Sequence, residues 1–433
     1  MEELGRIALL KPRFWSGRFL RISTGFVLGG VISAAMGRIR GDDGTQAQTV
    51  PLLALLAGAW GVLAILRLLR LTRRAPHILF YPDHVELPNS AESRGSTPVA
   101  YGEILSLASA GPHHARQIVI ATSRRAFSYP EAAFADPHGA TVLHQALAHR
   151  LATLENASDL RADFARRKAV EDATRGRPVR VTHTLLGLLV ATYYLQGILV
   201  PGDRPFGLVR MGANAALLVR DGQWFRLVSG NFLHASLPHI ALNGLAILAL
   251  GTLLERLLGP TRLLVIYLTS ALAGSAASAV VLRHGQSVGA STAVFGLLVA
   301  LALCNRRYYR ELPLGLRQPA RVWVIVLGLN ALLPLLFFGL EILFRVRLPK
   351  IDWAAHAGGA AAGAMCAHLM LRRRTLAEVL EPAGRVARTF AIALTALFVA
   401  GLVAAGVRGV AAGAEDEERV REATIASILQ GEL

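Results

Sequence analysis

The chain has 433 residues, 53% of them hydrophobic, and its mean hydropathy of +0.44 excludes an ordinary soluble enzyme and implies several membrane spans. A formal net charge of +17 does not mark a nucleic-acid binder, because the arginines form no basic stripe interleaved with aromatics. They cluster at the ends of apolar runs, as at Arg67/Arg70/Arg73/Arg74, Arg306/Arg307/Arg310 and Arg372/Arg373/Arg374, which is the pattern of positive-inside topology signals. The two cysteines, Cys304 and Cys366, both lie in predicted spans and offer neither a disulfide framework nor a zinc pattern, so no metal or cofactor is expected.

Lys11, Arg13, Arg18 and Arg21 precede an apolar run at 22–37 without a convincing cleavage site, and a second run occupies 50–66. Arginines guard both outer ends, so segment 1–70 is read as a membrane hairpin. Over 71–156 the texture changes to short alternating segments. His77–Tyr81, His84–Leu87, Val99–Tyr101, Ile104–Leu107, Gln117–Ala121 and Ala126–Tyr129 predict strands, with a turn at Pro82-Asp83. Val142, Leu143, Leu147, Leu151 and Leu154 then predict one amphipathic helix. In its order of elements this segment resembles a bacterial pleckstrin-homology-type domain, which implies a small cytoplasmic β-rich unit. His113 and His114, beside Gly111-Pro112, are read as loop residues.

The stretch 157–182 carries Arg161, Arg166, Arg167, Lys168, Arg175, Arg177 and Arg180 and predicts a basic, helical cytoplasmic linker. Apolar runs return at 183–200, 238–258, 262–282, 289–305, 321–344, 353–371 and 389–407. The tail 408–433, acidic from Glu415, predicts a short exposed helix. With the linker inside, the arginine-bearing loops after 258, 305 and 371 are also inside, although Arg345, Arg347 and Lys350 depart from the rule. The expected protein is an integral one of a bacterial inner (plasma) membrane, with a cytoplasmic N-terminus, in contact with lipid and with no nucleic acid.

The polar residues within the apolar runs carry the chemistry. Ser291 in Gly289-Ala290-Ser291-Thr292-Ala293-Val294-Phe295-Gly296 and His356 in Asp352-Trp353-Ala354-Ala355-His356-Ala357-Gly358-Gly359 sit in separate segments. Polar groups in hydrocarbon cost several kcal/mol unless paired or wet, so the segments are expected to meet around one polar cavity. His239 and Asn243 are four apart and share one helical face after Pro238, which suits a first turn. They can donate to an oxyanion, or merely bond between helices. Ser291 on its own can equally serve close packing. Gly359 and Gly363 form Gly-x-x-x-Gly, a spacing that lets two helix backbones approach closely. Asp352 stands one turn before His356, as an orienting acid would.

Three constellations, running from Trp224-Phe225-Arg226 through His234 to His239 and Asn243, then Gly289-Ala290-Ser291, then His356-Ala357-Gly358-Gly359, together resemble the rhomboid family of intramembrane serine proteases. The resemblance covers 183–371. It implies an all-α polytopic membrane protein: a six-helix rhomboid core at 183–371 plus one C-terminal helix at 389–407, preceded by the hairpin and the β-rich domain. It implies a Ser291–His356 dyad with no third acid, so that Asp352 is structural, and oxyanion donors in His239, Asn243 and the Ser291 backbone N–H. Phe295 matches an aromatic position that packs on the catalytic imidazole, though a plain core phenylalanine fits as well. Arg226 with Trp224 matches a loop element at the membrane interface, where Trp224 can be only an anchor. His234 matches a structural histidine, and Glu255 and Gly259 the inner end of a core helix. Thr292 departs from the family, which most often has glycine after the nucleophile.

The expected activity is that of a serine endopeptidase cutting transmembrane protein substrates near the outer end of their span. The rival is a catalytically weak or inactive rhomboid-like protein that binds membrane clients; its usual mark, loss of the serine or histidine, is lacking. A transporter predicts paired inverted repeats, which the sequence does not display.

Overall fold

The computed structural model describes residues 3–9, 76–90, 95–110, 116–122, 125–200, 206–282, 285–313, 315–318, 322–323, 328 and 351–430. The expected hairpin runs 22–37 and 50–66, the His113/His114 turn and, apart from 322–323 and 328, the expected span 321–344 lie outside them. The chain divides into two compact units, one of 1–167 with 321–350 and one of 168–320 with 351–433.

In the first unit, strands β1 (Gly5–Ala8), β2 (His77–Phe80), β3 (His84–Pro88) and β4 (Ser96–Ala100) form an antiparallel sheet in that order. Strands β5 (Ile104–Ala110), β6 (Gln117–Thr122) and β7 (Ala126–Pro130) form a second. Alternation places Ile78, Val85, Val99, Ile118, Ile120, Phe127 and Tyr129 inward. Helix α1 (Gly139–Ala152) closes the core with Leu143, Leu147 and Leu151, one residue per turn. Val142 is 47% exposed and lies off that face, contrary to the expected stripe. Two further differences are non-local in origin. Gly5–Ala8 pairs with His77–Phe80 instead of belonging to a hairpin segment, and Leu160 and Phe164 of the expected linker join the hydrophobic core.

The second unit is mostly helical. Helix α2 (Ala157–Arg175) leads into it, followed by α3 (Arg180–Leu199), α4 (Leu237–Leu258), α5 (Pro260–Val281), α6 (Ser291–Tyr308), α7 (Trp353–Leu371) and α8 (Arg385–Leu429). Among the described residues, three stretches are long and apolar enough to cross a membrane: α4, α5 and Arg385–Gly409 of α8. Leu237, Leu242 and Leu245 are more than 60% exposed, an outward apolar face suited to lipid. Within α4 one π turn, Ile247–Gly251, interrupts the α geometry.

Glu255, 1% exposed, accepts from the Val181 and Thr182 N–H groups at 2.9 and 2.8 Å and from Thr182 Oγ1 at 2.7 Å. A carboxylate thus satisfies the free N–H groups at the start of α3 and suits the positive end of its dipole. Arg262 performs the complementary service, donating to the carbonyls of Leu258, Val379 and Glu381.

Helix α8 breaks at Gly409, whose φ of 71° and ψ of 165° are open to glycine. Beyond the break the chain stays helical and packs on the loop between α3 and α4, so it is not the exposed tail expected from its acidity. Val420 joins Val209, Ala215 and Leu218 in a small core. Asp416, 1% exposed, accepts from Arg226 Nη2 at 2.8 Å, Arg408 Nε and Nη2 at 2.6 and 2.9 Å, and Gln223 Nε2 at 3.0 Å. Burial alone would raise its pKa. The hydrogen bonds from Arg408 and Gln223 and the charges of Arg226 and Arg408 outweigh that and hold it below the ordinary value.

Two outcomes follow from these buried carboxylates. Glu255→Ala strands buried N–H donors and should cost on the order of 3 kcal/mol, read as a lowered thermal midpoint in detergent. Asp416 has a depressed folded pKa, so its stabilisation is complete above the unfolded value of about 3.9 and is lost as pH falls through the folded one. The gap in thermal midpoint between wild type and Asp416→Asn should therefore be constant from pH 7 to about 5 and shrink below about 4.

Candidate active site

Ser291 opens α6, with Ala290 as the residue before its first turn. The first N–H groups of a helix have no intrahelical partners and lie at the positive end of the dipole, so the Ser291 N–H is free of the helix's own hydrogen bonds. The turn before it depends on Gly289, with φ of 117°. A Cβ there would lie 2.7 Å from His239 Cε1 and 2.8 Å from His239 Nε2, so only glycine fits. The Gly289 N–H donates to the Gly230 carbonyl at 2.9 Å, fastening the turn to the preceding loop.

His356 lies one turn into α7, which Asp352 caps by accepting from the Ala355 N–H at 3.0 Å. Asp352 also accepts from Ser278 Oγ. Its carboxylate is therefore engaged with the helix start and with α5. His356 Nδ1 has no hydrogen-bond partner among the described residues, whereas Nε2 lies 2.9 Å from Ser291 Oγ. The imidazole stacks on Phe295, with ring centroids 4.2 Å apart and planes 19° from parallel. On another side Trp353 meets it edge-on at 6.0 Å. Two aromatic contacts fix the ring plane where a third polar partner would otherwise do so.

The approach of α7 to α5 and α6 is what closes that 2.9 Å gap. A Cβ on Gly359 would fall inside contact distance of the Thr292 carbonyl oxygen, and one on Gly363 would overlap the Gly296 backbone. A Cβ on Gly358 would lie 2.7 Å from Ala277 Cβ, and one on Gly274 would lie 2.5 Å from the Ala355 carbonyl oxygen. The helices touch backbone to backbone, as small residues allow in lipid.

Asn243 is buried, and its Nδ2 has no hydrogen-bond partner among the described residues. It lies 3.6 Å from the Cβ position of Gly289, beside the His239 ring, so both side chains border the turn that leads to Ser291. Helix α4 presents them through Ser236, which caps it by accepting from the His239 N–H at 3.4 Å, and Pro238 stands in its first turn. An unsatisfied amide donor, a half-buried imidazole and a helix N-terminus around one serine can stabilise negative charge on an oxygen.

The remaining residues singled out by sequence lie in the loop before α4. Arg226, 1% exposed, donates to the Val209 and Ala213 carbonyls at 2.8 and 3.0 Å and to Gln223 Oε1 at 2.8 Å. Burial lowers its pKa to about 10, against the opposing pull of Asp416, so it stays cationic at neutral pH. His234 is fully buried, and its Nδ1 lies 3.2 Å from the Phe232 carbonyl. Burial, with His239 adding, pushes its pKa to about 4, so it is neutral at ordinary pH. Trp224 is 46% exposed, in keeping with an interfacial position.

Sequence reasoning passed over Trp353, Asn231 and Asp416. Trp353 could have been found from its place one turn before the histidine; nothing local marks the other two. Asn231 explains how Thr292 is accommodated: Thr292 Oγ1 donates to Asn231 Oδ1 at 2.7 Å, and Asn231 Nδ2 donates to Ser275 Oγ at 2.9 Å. The threonine hydroxyl links α6, the loop and α5 where glycine would make no such bond.

Comparison with known proteins agrees on one family. Residues 221–373 match the Rhomboid domain model. Rhomboid protease GluP of Bacillus subtilis (strain 168) is 33% identical over 191 residues, covering 43% of this chain and 34% of that protein. RHOMBOID-like protein 4 of Arabidopsis thaliana is 32% identical over 165 residues, covering 37% of this chain and 38% of that protein. RHOMBOID-like protein 5 of Arabidopsis thaliana is 31% identical over 172 residues, covering 38% and 50% respectively. The chain thus spans about a third to a half of the curated relatives it matches.

The glycine contacts make a sharp expectation. Gly359→Val should separate His356 from Ser291 and slow the reaction of Ser291 with a fluorophosphonate more than about tenfold, measured by gel fluorescence at matched expression. Gly187→Val, at a position where an added Cβ meets nothing within 4 Å, should leave that reaction unchanged.

Proposed function

We propose that this chain, a rhomboid-family protein integral to a membrane, is an intramembrane serine endopeptidase working through a Ser291–His356 dyad. The observation that carries the reading is the 2.9 Å contact between Ser291 Oγ and His356 Nε2, with Phe295 stacked on the imidazole. His356 Nε2 takes the serine proton as Oγ attacks the scissile carbonyl. The carbonyl oxygen becomes an oxyanion, held by the Ser291 N–H, Asn243 and His239. Each such donor commonly contributes about 3–4 kcal/mol at the transition state. His356 then protonates the leaving amine. In the second half it activates a water that hydrolyses the acyl-enzyme and frees Ser291.

The substrate of this reading is a transmembrane protein, cut near the outer end of its helix, where the starts of α4, α6 and α7 lie by the arginine pattern. The N-terminus is then cytoplasmic. The core is six helices over 183–371, completed by the span expected at 321–344, with a seventh at 389–407. No metal or cofactor has a part in the chemistry.

Ser291→Ala should abolish cleavage of a susceptible membrane substrate reconstituted with the protein in proteoliposomes, and should abolish fluorophosphonate labelling. Unchanged cleavage would sink the proteolytic reading and favour a client-binding rhomboid-like protein.

A further inference from the structure

Asp416 lies in the second unit beyond the Gly409 break and has no part in the dyad chemistry, yet it is as deeply buried as Arg226. A carboxylate so far removed from water persists only where its lone pairs are met. Four N–H donors from Arg226, Arg408 and Gln223 meet them. Arg226 uses its other donors on the Val209 and Ala213 carbonyls and on Gln223, so this one ion pair closes the loop around a guanidinium.

The short helix Arg226–Ser229 runs directly into Gly230 and Asn231. The Gly230 carbonyl accepts from the Gly289 N–H at 2.9 Å, and Asn231 Oδ1 accepts from Thr292 Oγ1 at 2.7 Å. Gly289 and Thr292 flank Ser291. The rest of the tail is seated independently, by Arg210 with Glu417, Arg419 with Asp221, and Val420 in its small core. Removing the Asp416 charge therefore leaves the tail docked.

We propose that Asp416 is a positioning residue for the serine turn: by fixing Arg226 it holds Gly230 and Asn231 against Gly289 and Thr292, and so sets Ser291 and its oxyanion donors in place. Its kinetic consequence rests on the proteolytic reading above. The coupling itself does not.

The test compares the full-length wild type with Asp416→Asn, Asp416→Glu and Glu417→Gln in proteoliposomes. Hydrogen exchange is followed in peptides covering 226–232 and 285–292, along with fluorophosphonate labelling of Ser291 and kcat and KM on a membrane substrate. Asp416→Asn should speed exchange in both segments and lower kcat and the labelling rate about tenfold, with KM within about twofold of wild type. Asp416→Glu should recover most of the loss, and Glu417→Gln should match wild type. Exchange rising in 226–232 alone, unchanged kcat, or an equal loss in Glu417→Gln would overturn the proposal. If Asp416→Asn does not fold, Arg408→Gln, which removes two of the four donors and spares Arg226, should give the same pattern at smaller amplitude; no change at 285–292 in that variant would count against the proposal. Absence of labelling in the wild type would instead sink the proteolytic reading, and exchange at 285–292 would still decide the coupling.

Discussion

The backbone contact between α6 and α7 is the constraint on which the rest of the second unit depends. In lipid, apolar side chains gain little by leaving their surroundings for one another, so helices associate through close packing and a few hydrogen bonds. Gly359 and Gly363 bring the backbone of α7 onto that of Thr292 and Gly296. At any ordinary helix separation, Ser291 and His356 would each be a lone polar group in an apolar interior. At this one they satisfy each other.

Positions around the Ser291–His356 pair are fixed by different means on its two sides. On the histidine side, Asp352 is consumed in capping α7, and ring contacts with Phe295 and Trp353 define the imidazole plane. On the serine side, the turn is defined by hydrogen bonds to a loop that itself wraps a buried arginine. The histidine side takes Asp352 and Trp353 from within one turn of His356 and Phe295 from within one turn of Ser291. The loop side draws on residues from three segments and is where a distant change can reach Ser291.

That division also explains what could be read from sequence. Ser291, His356, His239, Asn243, Gly359 and Gly363 stood out because few residue types can nucleophilically attack, shuttle a proton or vanish sterically at a helix contact, and an apolar background makes them conspicuous. Asp416 did not: its partner Arg226 is 190 positions away, and an acidic amphipathic segment reads as solvated. Gly5–Ala8 was hidden for a similar reason, since its pairing with His77–Phe80 crosses a long apolar insertion. Val142 has the right residue type for the core face of α1, and only the packed register shows that its neighbours at every fourth position take that place.

The π turn in α4 has a geometric consequence. At 100° per residue, the dozen residues from Asn243 to Glu255 would put the two side chains about 120° apart around an uninterrupted α-helix. A π turn takes up one extra residue, which returns them to about 20° of each other. Asn243 can then border the serine turn while Glu255 meets Thr182 at the opposite end of the same helix. The helix is thus phased as well as sized. A single-residue insertion or deletion between the two positions would rotate one end away from its task, whereas a substitution at exposed Leu248 would leave the phase intact.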